Sequence, residues 1–233
     1  MSARQGGRAS REIEVESADG AFAAYLALPA TAAGPGLLVL QEAWGLVPEI
    51  RDVCDRLARA GFVALAPDLY RGEQAADAAQ AARLMEALEI GRTERDLSAA
   101  ILALRRQPET TGARLGCIGF CMGGQLALHA ACLRSEIAAV VDCYGVHPRF
   151  TPDFAGCRAK VLGVFAENDE FVPPSAVKAL EASLEAAGVE AELLTYVGVR
   201  HGFLNEGRPD VFDAETAARA WHAIERFLEA ELR

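Results

Sequence analysis

The chain has 233 residues, of which 52% are hydrophobic, 24% charged and 7% aromatic, a balance that supports a sizeable core and excludes a disordered polymer. Its 23 Lys and Arg against 33 Asp and Glu leave a formal charge of −10, so a nucleic-acid backbone or an anionic membrane surface would be repelled over most of the exterior. Nowhere do about 18 apolar residues follow one another, and Met1 to Arg11 lacks the apolar stretch of a secretory signal. The expectation is a cytoplasmic protein, monomeric or homodimeric, with no nucleic-acid or membrane partner.

No Pro-, Ser- or Gly-rich linker divides the chain, so a short flexible segment over 1–10 followed by one domain over 11–233 is expected. Arg11 to Ser17 alternates charged and apolar residues, Asp19-Gly20 supplies a tight turn, and Ala21 to Leu28 runs on as a second apolar segment, which together predict an antiparallel hairpin. From Gly36 onward short apolar runs (37–40, 63–66, 115–118, 138–141, 161–164 and 193–197) alternate with helix-like stretches at 49–60, 75–88, 93–106, 122–133, 175–187 and 214–232. Runs of this kind suit strands covered on both faces. The predicted fold class is therefore α/β, with a mostly parallel central sheet, an N-terminal antiparallel hairpin and helices on both faces.

Six cysteines (Cys54, Cys117, Cys121, Cys132, Cys143 and Cys157) lie in apolar surroundings without a CxxC pair, which reads as reduced thiols. His129 and Cys132 share a helix face, but two ligands do not make a zinc site, and no metal or organic cofactor is expected. Five of the cysteines read as small core residues. Cys121 differs, because strand-like 115–118 runs into Gly119-Phe120-Cys121-Met122-Gly123-Gly124 and then directly into a helix. This is the G-x-nucleophile-x-G pattern of a nucleophile elbow, with Cys where Ser is more usual. Crowding explains the glycines: a sharp strand-to-helix turn strains the nucleophile's backbone and leaves no room for flanking side chains. At the first turn of a helix, unpaired N–H groups and the dipole favour a thiolate and can hold an oxyanion. In isolation the pentapeptide also describes a glycine-rich turn around a buried cysteine.

A cysteine nucleophile needs a base and a group that orients it, in the chain order nucleophile, acid, histidine. Asp169 follows the run 161–165 and His201 follows 193–197, both in loops at the edge where open parallel sheets collect their active sites. His129 and His222 lie within helices and His147 precedes the acid, so His201 is the base of choice. Of the neighbouring acids Glu167 and Glu170, neither has the short side chain that suits Asp169 to gripping an imidazole.

Taken together, Gln41-Glu42-Ala43-Trp44-Gly45, Ala66-Pro67-Asp68-Leu69-Tyr70, the elbow, Tyr144-Gly145-Val146, Asp169-Glu170-Phe171-Val172-Pro173 and His201-Gly202-Phe203 resemble the dienelactone hydrolase family. These are cysteine-dependent members of the α/β-hydrolase fold. The resemblance covers about residues 12–232. It implies a Cys121, Asp169 and His201 triad, with an oxyanion hole from the Met122 and Ala43 N–H groups. It also implies that Glu42 lies beside the thiol and helps to switch it on, since a nearby carboxylate disfavours a thiolate until it is engaged elsewhere.

The implied substrate is a small ester or lactone, cleaved through a thioester acyl-enzyme without a cofactor. The family's lactone hydrolases hold a substrate carboxylate with two arginines. Arg71 is a candidate for the first, offset by one residue, whereas the second falls on Leu204-Asn205-Glu206-Gly207, with Arg208 displaced along the chain. Trp44, Tyr70, Tyr144 and Phe203 are candidate pocket walls, with core packing as the alternative. Arg200 reads as a surface cation. The altered arginines leave a second reading, a non-catalytic relative that binds a small carboxylate or carbonyl ligand. A third is a redox-sensing thiol at Cys121, for which the sequence offers no evident resolving cysteine.

Overall fold

Strands that are apolar on both faces need cover on both sides, and the computed structural model, which describes residues 8–145 and 150–233, supplies it with six helices. Of the positions named above, Val146, His147 and residues 1–7 of the N-terminal segment lie outside the described residues. In chain order the elements are β1 (Arg8–Val15), β2 (Phe22–Leu28), β3 (Gly34–Leu40), α1 (Pro48–Arg59), β4 (Val63–Pro67), α2 (Ala78–Ala87) and α3 (Ile90–Arg105). There follow β5 (Thr110–Phe120), α4 (Met122–Leu133), β6 (Ile137–Cys143), β7 (Lys160–Ala166), α5 (Pro174–Ala186), β8 (Ala191–Tyr196) and α6 (Ala214–Leu232).

The strands form one sheet in the order β1-β2-β4-β3-β5-β6-β7-β8. The pairs β1/β2 and β2/β4 are antiparallel and every later pair is parallel. The hairpin closes through Gly20, whose φ of 93° a side chain would resist, with its N–H donated to the Ser17 carbonyl at 3.1 Å. On one face, Ile50, Cys54 and Leu57 of α1 and Trp221, Ile224 and Leu228 of α6 bury against the sheet. On the other, Leu97, Ile101 and Leu104 of α3 and Leu126 and Ala130 of α4 do the same.

The parallel register matters most for function. Leu40 pairs with Gly119, Phe120 with Cys143, Cys143 with Val164 and Ala166 with Tyr196, so β3, β5, β6, β7 and β8 end along one edge. The residues that follow those ends, Glu42, Cys121, Tyr144, Asp169 and His201, are thereby gathered on it.

Arg71 has a different duty from the one the resemblance implies. Its guanidinium donates to both oxygens of buried Asp96 at 2.9 Å each and to the carbonyls of Gly20 at 2.9 Å and Ala21 at 2.7 Å, and it stacks 5.3 Å from the Phe22 ring centre. These four acceptors take both terminal amino groups, leaving only a buried Nε without a described partner, so Arg71 ties the opening hairpin to α3. Its loss would leave Asp96 in the interior with only Arg92, 3.9 Å away, beside it. Arg71→Ala is expected to destabilise the fold by roughly 3 kcal/mol, read by urea unfolding, while the relative rates on carboxylate-bearing and neutral esters stay unchanged.

Candidate active site

Cys121 caps the N-terminus of α4 with φ 53° and ψ −122°, a conformation that L side chains adopt only under compulsion, at a cost of about 1–3 kcal/mol. The compulsion is visible in the flanking glycines. A Cβ on Gly119 would stand 1.8 Å from the Gly123 carbonyl oxygen, and one on Gly123 would stand 2.4 Å from that of Leu40. Strand β5, the first turn of α4 and the end of β3 thus approach backbone to backbone. The turn is further pinned by the Cys121 N–H donating to the Cys143 carbonyl at 2.9 Å. Ala43 follows the end of β3 beside this turn, and no hydrogen bond to a described residue engages its N–H or that of Met122.

Asp169 is held in a tight turn, its Oδ1 accepting from the N–H groups of Phe171 and Val172 at 2.8 Å each. Its Oδ2 meets His201 Nδ1 at 2.8 Å, with the side chain of Asp169 fully buried. The ring of His201 lies between Tyr144 and Phe171, whose centroids are each 4.9 Å away in edge-on contact. Burial alone would lower its affinity for a proton, but hydrogen bonds to Asp169 and to Cys121 outweigh that and raise it to about 10. Burial likewise acts to raise Asp169, and there too the hydrogen bond and charge of His201 prevail, lowering it below the ordinary carboxylate range. His201 is thus tied directly to Asp169, and Cys121 acts on its protonation from the same edge.

Glu42 is brought to the same edge, 5% exposed. Its Oε1 accepts from the Tyr144 hydroxyl at 3.3 Å and its Oε2 from the Asn205 amide at 2.6 Å. Burial raises its carboxyl above the ordinary range, offset in part by the Asn205 hydrogen bond and the charge of His201. Asn205 escaped the sequence reading as a site residue. Its signal was its place four residues beyond His201, where the resemblance looked for an arginine. Gln41 is a second such residue: wholly buried, it accepts the Leu69 N–H at 3.2 Å and so joins the loops after β3 and β4.

The four aromatic candidates divide. Tyr144 is fully buried, bonded to Glu42 and packed on His201, so it supports both groups from below. Tyr70 is 8% exposed, with its hydroxyl donated to Met122 Sδ at 3.3 Å, and backs the first turn of α4. Phe203 is wholly buried between Tyr144 and Tyr196 and belongs to the core, which corrects its reading as a pocket wall. Only Trp44 keeps partial exposure, with the Arg208 guanidinium 5.8 Å from its ring centre. Arg208 is itself paired with Asp210, at 3.0 and 2.7 Å, and Arg200 with Glu170 at 3.1 Å on the surface. A cavity of about 460 Å³ lies against Glu42, Asn205, Tyr144 and Phe120, but neither Cys121 nor His201 lines it. Among the described residues no group of three or more potential ligands is placed to hold a metal ion, and no helix is long and apolar enough to cross a membrane.

The profile of the Dienelactone hydrolase family matches residues 22–232. Protein usf of Aquifex pyrophilus is 34% identical over 216 residues, covering 89% of this chain and 93% of that protein. The human carboxymethylenebutenolidase homolog is 28% identical over 215 residues, covering 90% and 85%. Among solved structures, a dienelactone hydrolase-like promiscuous phosphotriesterase from metagenomic libraries superposes with a TM-score of 0.86 at 26% identity, over 98% of this chain and all of that one. The carboxylesterase EstE1, also from a metagenomic library, shares the fold at a TM-score of 0.76 and 16% identity, over 99% of this chain and 92% of that one. With an eight-stranded, mostly parallel sheet and an elbow at its carboxyl edge, this chain has the α/β-hydrolase fold; it belongs to the dienelactone hydrolase family and is a carboxylic ester hydrolase.

Proposed function

We propose that the chain hydrolyses a small neutral ester or lactone through Cys121 as nucleophile, His201 as base and acid, and Asp169 as the group that orients His201. The observation that supports this reading is the 2.8 Å contact of Asp169 Oδ2 with His201 Nδ1, which sets the ring's orientation on the edge where Cys121 also stands. Cys121 Sγ attacks the substrate carbonyl carbon, and the negative charge that builds on its oxygen is met by the Met122 and Ala43 N–H groups. Collapse expels the alkoxide, which takes a proton from the His201 imidazolium, and leaves a thioester on Cys121. His201 then removes a proton from water, the hydroxide attacks the thioester, and the carboxylic acid departs as the thiolate is restored. In a lactone the alkoxide stays tethered to the acyl group, so both ends leave in the second step.

Neutrality of the substrate follows from the cations. Arg71 is consumed by Asp96 and the hairpin, and Asn205 occupies the position where a second arginine was sought. Among the described residues named for this role, no guanidinium pair remains to grip a carboxylate in a forked manner. Glu42 has a supporting part: with one oxygen taken by Asn205 and the other by Tyr144, it does not compete with His201 for the thiol.

Cys121→Ala is expected to lower kcat/KM on p-nitrophenyl acetate and butyrate by at least about a thousandfold, measured by nitrophenolate release. A neutral enol-lactone should be preferred over a lactone bearing a carboxylate, and retained turnover in the variant would reject the nucleophile. Asn205→Leu releases Glu42 toward the thiol. It should cost roughly tenfold in kcat/KM with KM little changed, in steady-state assays across pH 6 to 9. His201 also carries a stability signature. Its imidazolium is held up to about 10 in the folded protein against 6.5 for the ordinary group. The stabilisation is therefore complete below 6.5 and is lost as pH rises through about 10. Melting temperature should fall between those limits, and His201→Ala should flatten the fall.

A further inference from the structure

Three of the six cysteines, Cys54, Cys117 and Cys143, are wholly buried, and burial pushes each thiol up and keeps it unreactive. Cys132 and Cys157 differ. Cys132 stands in the last turn of α4 and is partly exposed, next to exposed Leu133. Cys157 lies in the irregular segment that leads into β7, at the end of a turn closed by its own N–H donating to the Phe154 carbonyl at 3.0 Å, with Gly156 at φ 83°. It is 8% exposed, and Ala155, Gly156 and Arg158 around it are all exposed, so its sulfur lies just beneath the surface. The two side chains belong to one packed cluster, on the face of the sheet that α3 and α4 cover.

Packed together, the two thiols bias each other's proton. Interaction with the Cys132 thiol pulls Cys157 down to about 6, against the effect of burial and with help from the Ala159 backbone. Cys132 is pushed up in turn, by its interaction with Cys157, by burial, and by the negative charge of Cys157 and Asp153. The pair thus sets a thiolate at Cys157 beside a protonated thiol at Cys132, one sulfur suited to attack and the other to resolve. Cys157 stands outside regular secondary structure, so closing to an S–S bond of about 2 Å moves a loop and the last turn of a helix and leaves the sheet undisturbed.

We propose that Cys132 and Cys157 are a site of reversible oxidation by hydrogen peroxide, closing to a disulfide that ties the last turn of α4 to the segment entering β7. The Cys157 thiolate attacks one peroxide oxygen and breaks the O–O bond, becoming a sulfenic acid as the other oxygen leaves as hydroxide. Cys132 then gives up its proton and attacks the Cys157 sulfur, and the hydroxyl carried there departs with that proton as water. One peroxide gains two electrons, and the two sulfurs together lose the same two. A dithiol reductant reverses the bond by exchange. The site is separate from Cys121 and does not require the hydrolytic mechanism.

The test treats the wild-type chain with a small excess of hydrogen peroxide at pH 7, blocks the remaining thiols with iodoacetamide, and maps tryptic peptides by mass spectrometry with and without dithiothreitol. A cross-link between Cys132 and Cys157 is expected, absent before treatment and lost on reduction, with fragmentation separating Cys132 from Cys117 and Cys121 of the same peptide. In Cys157→Ala the attacking sulfur is gone, so oxidation of Cys132 should slow at least about tenfold, with thermal melts confirming that the variant folds. The wild-type cross-link is read without any variant. Absence of that cross-link in treated protein, its resistance to dithiothreitol, or oxidation of Cys132 at the wild-type rate in folded Cys157→Ala would overturn the proposal. The readout needs no turnover, and modification of Cys121 is resolved in the same map, so failure of this site and failure of the hydrolase mechanism are distinguishable.

Discussion

Everything at the catalytic edge depends on one close approach, that of the first turn of α4 to the ends of β5 and β3. Without side chains at Gly119 and Gly123 the backbones meet at distances no Cβ would allow, and the helix can begin immediately after the strand. The strain is concentrated at Cys121, which is driven to φ 53°. Sheet and helix packing on both sides over-determine that conformation, which is the condition under which such strain persists. Three results of the turn are chemical. It lifts the thiol onto the carboxyl edge, leaves the Met122 N–H free at the helix start, and brings the end of β3 alongside, with Ala43 beyond it.

The electrostatics of the site are built around burial. Removing His201 and Asp169 from water disfavours the charge on each, yet each is the other's strongest compensation, and the two N–H groups of Phe171 and Val172 complete the cage around the acid. The result is a ring whose protonated form is favoured by a fixed carboxylate. Glu42 is treated differently. It is buried like Asp169 but has only neutral hydrogen-bond donors, Tyr144 and Asn205, so burial prevails and its carboxyl rises.

The cations explain why family membership does not transfer every detail of recognition. A guanidinium at position 71 lies close in sequence to where an anion anchor would be wanted, but the opening hairpin and α3 surround it with acceptors. A structural ion pair of this kind is difficult to exchange for a ligand, because release would leave Asp96 buried with only the more distant Arg92, at 3.9 Å, as a partner. Within Leu204-Asn205-Glu206-Gly207, where the second arginine was expected, Asn205 gives Glu42 a neutral donor. The neutral substrate proposed above rests on these two features, an arginine held by packing at 71 and the lack of arginine at 204–207.

Much was determined by the sequence alone. The helices at 122–133 and 214–232 and the strand cores at 37–40 and 161–164 fall inside the observed elements, because fully apolar runs and 3.6-residue periodicity report burial directly. The order Cys121, Asp169, His201 was legible for a related reason: strand ends in a parallel sheet share an edge, so loop residues after successive strands must converge. The duties of Arg71, Phe203 and Asn205 were not legible, because each depends on neighbours far away in the chain. Arg71 meets Asp96 and the hairpin, Phe203 is enclosed by Tyr144 and Tyr196, and Asn205 reaches Glu42 across 163 positions. Local pattern determines which residues reach the edge, and only tertiary packing decides which of them are still free to act when they arrive.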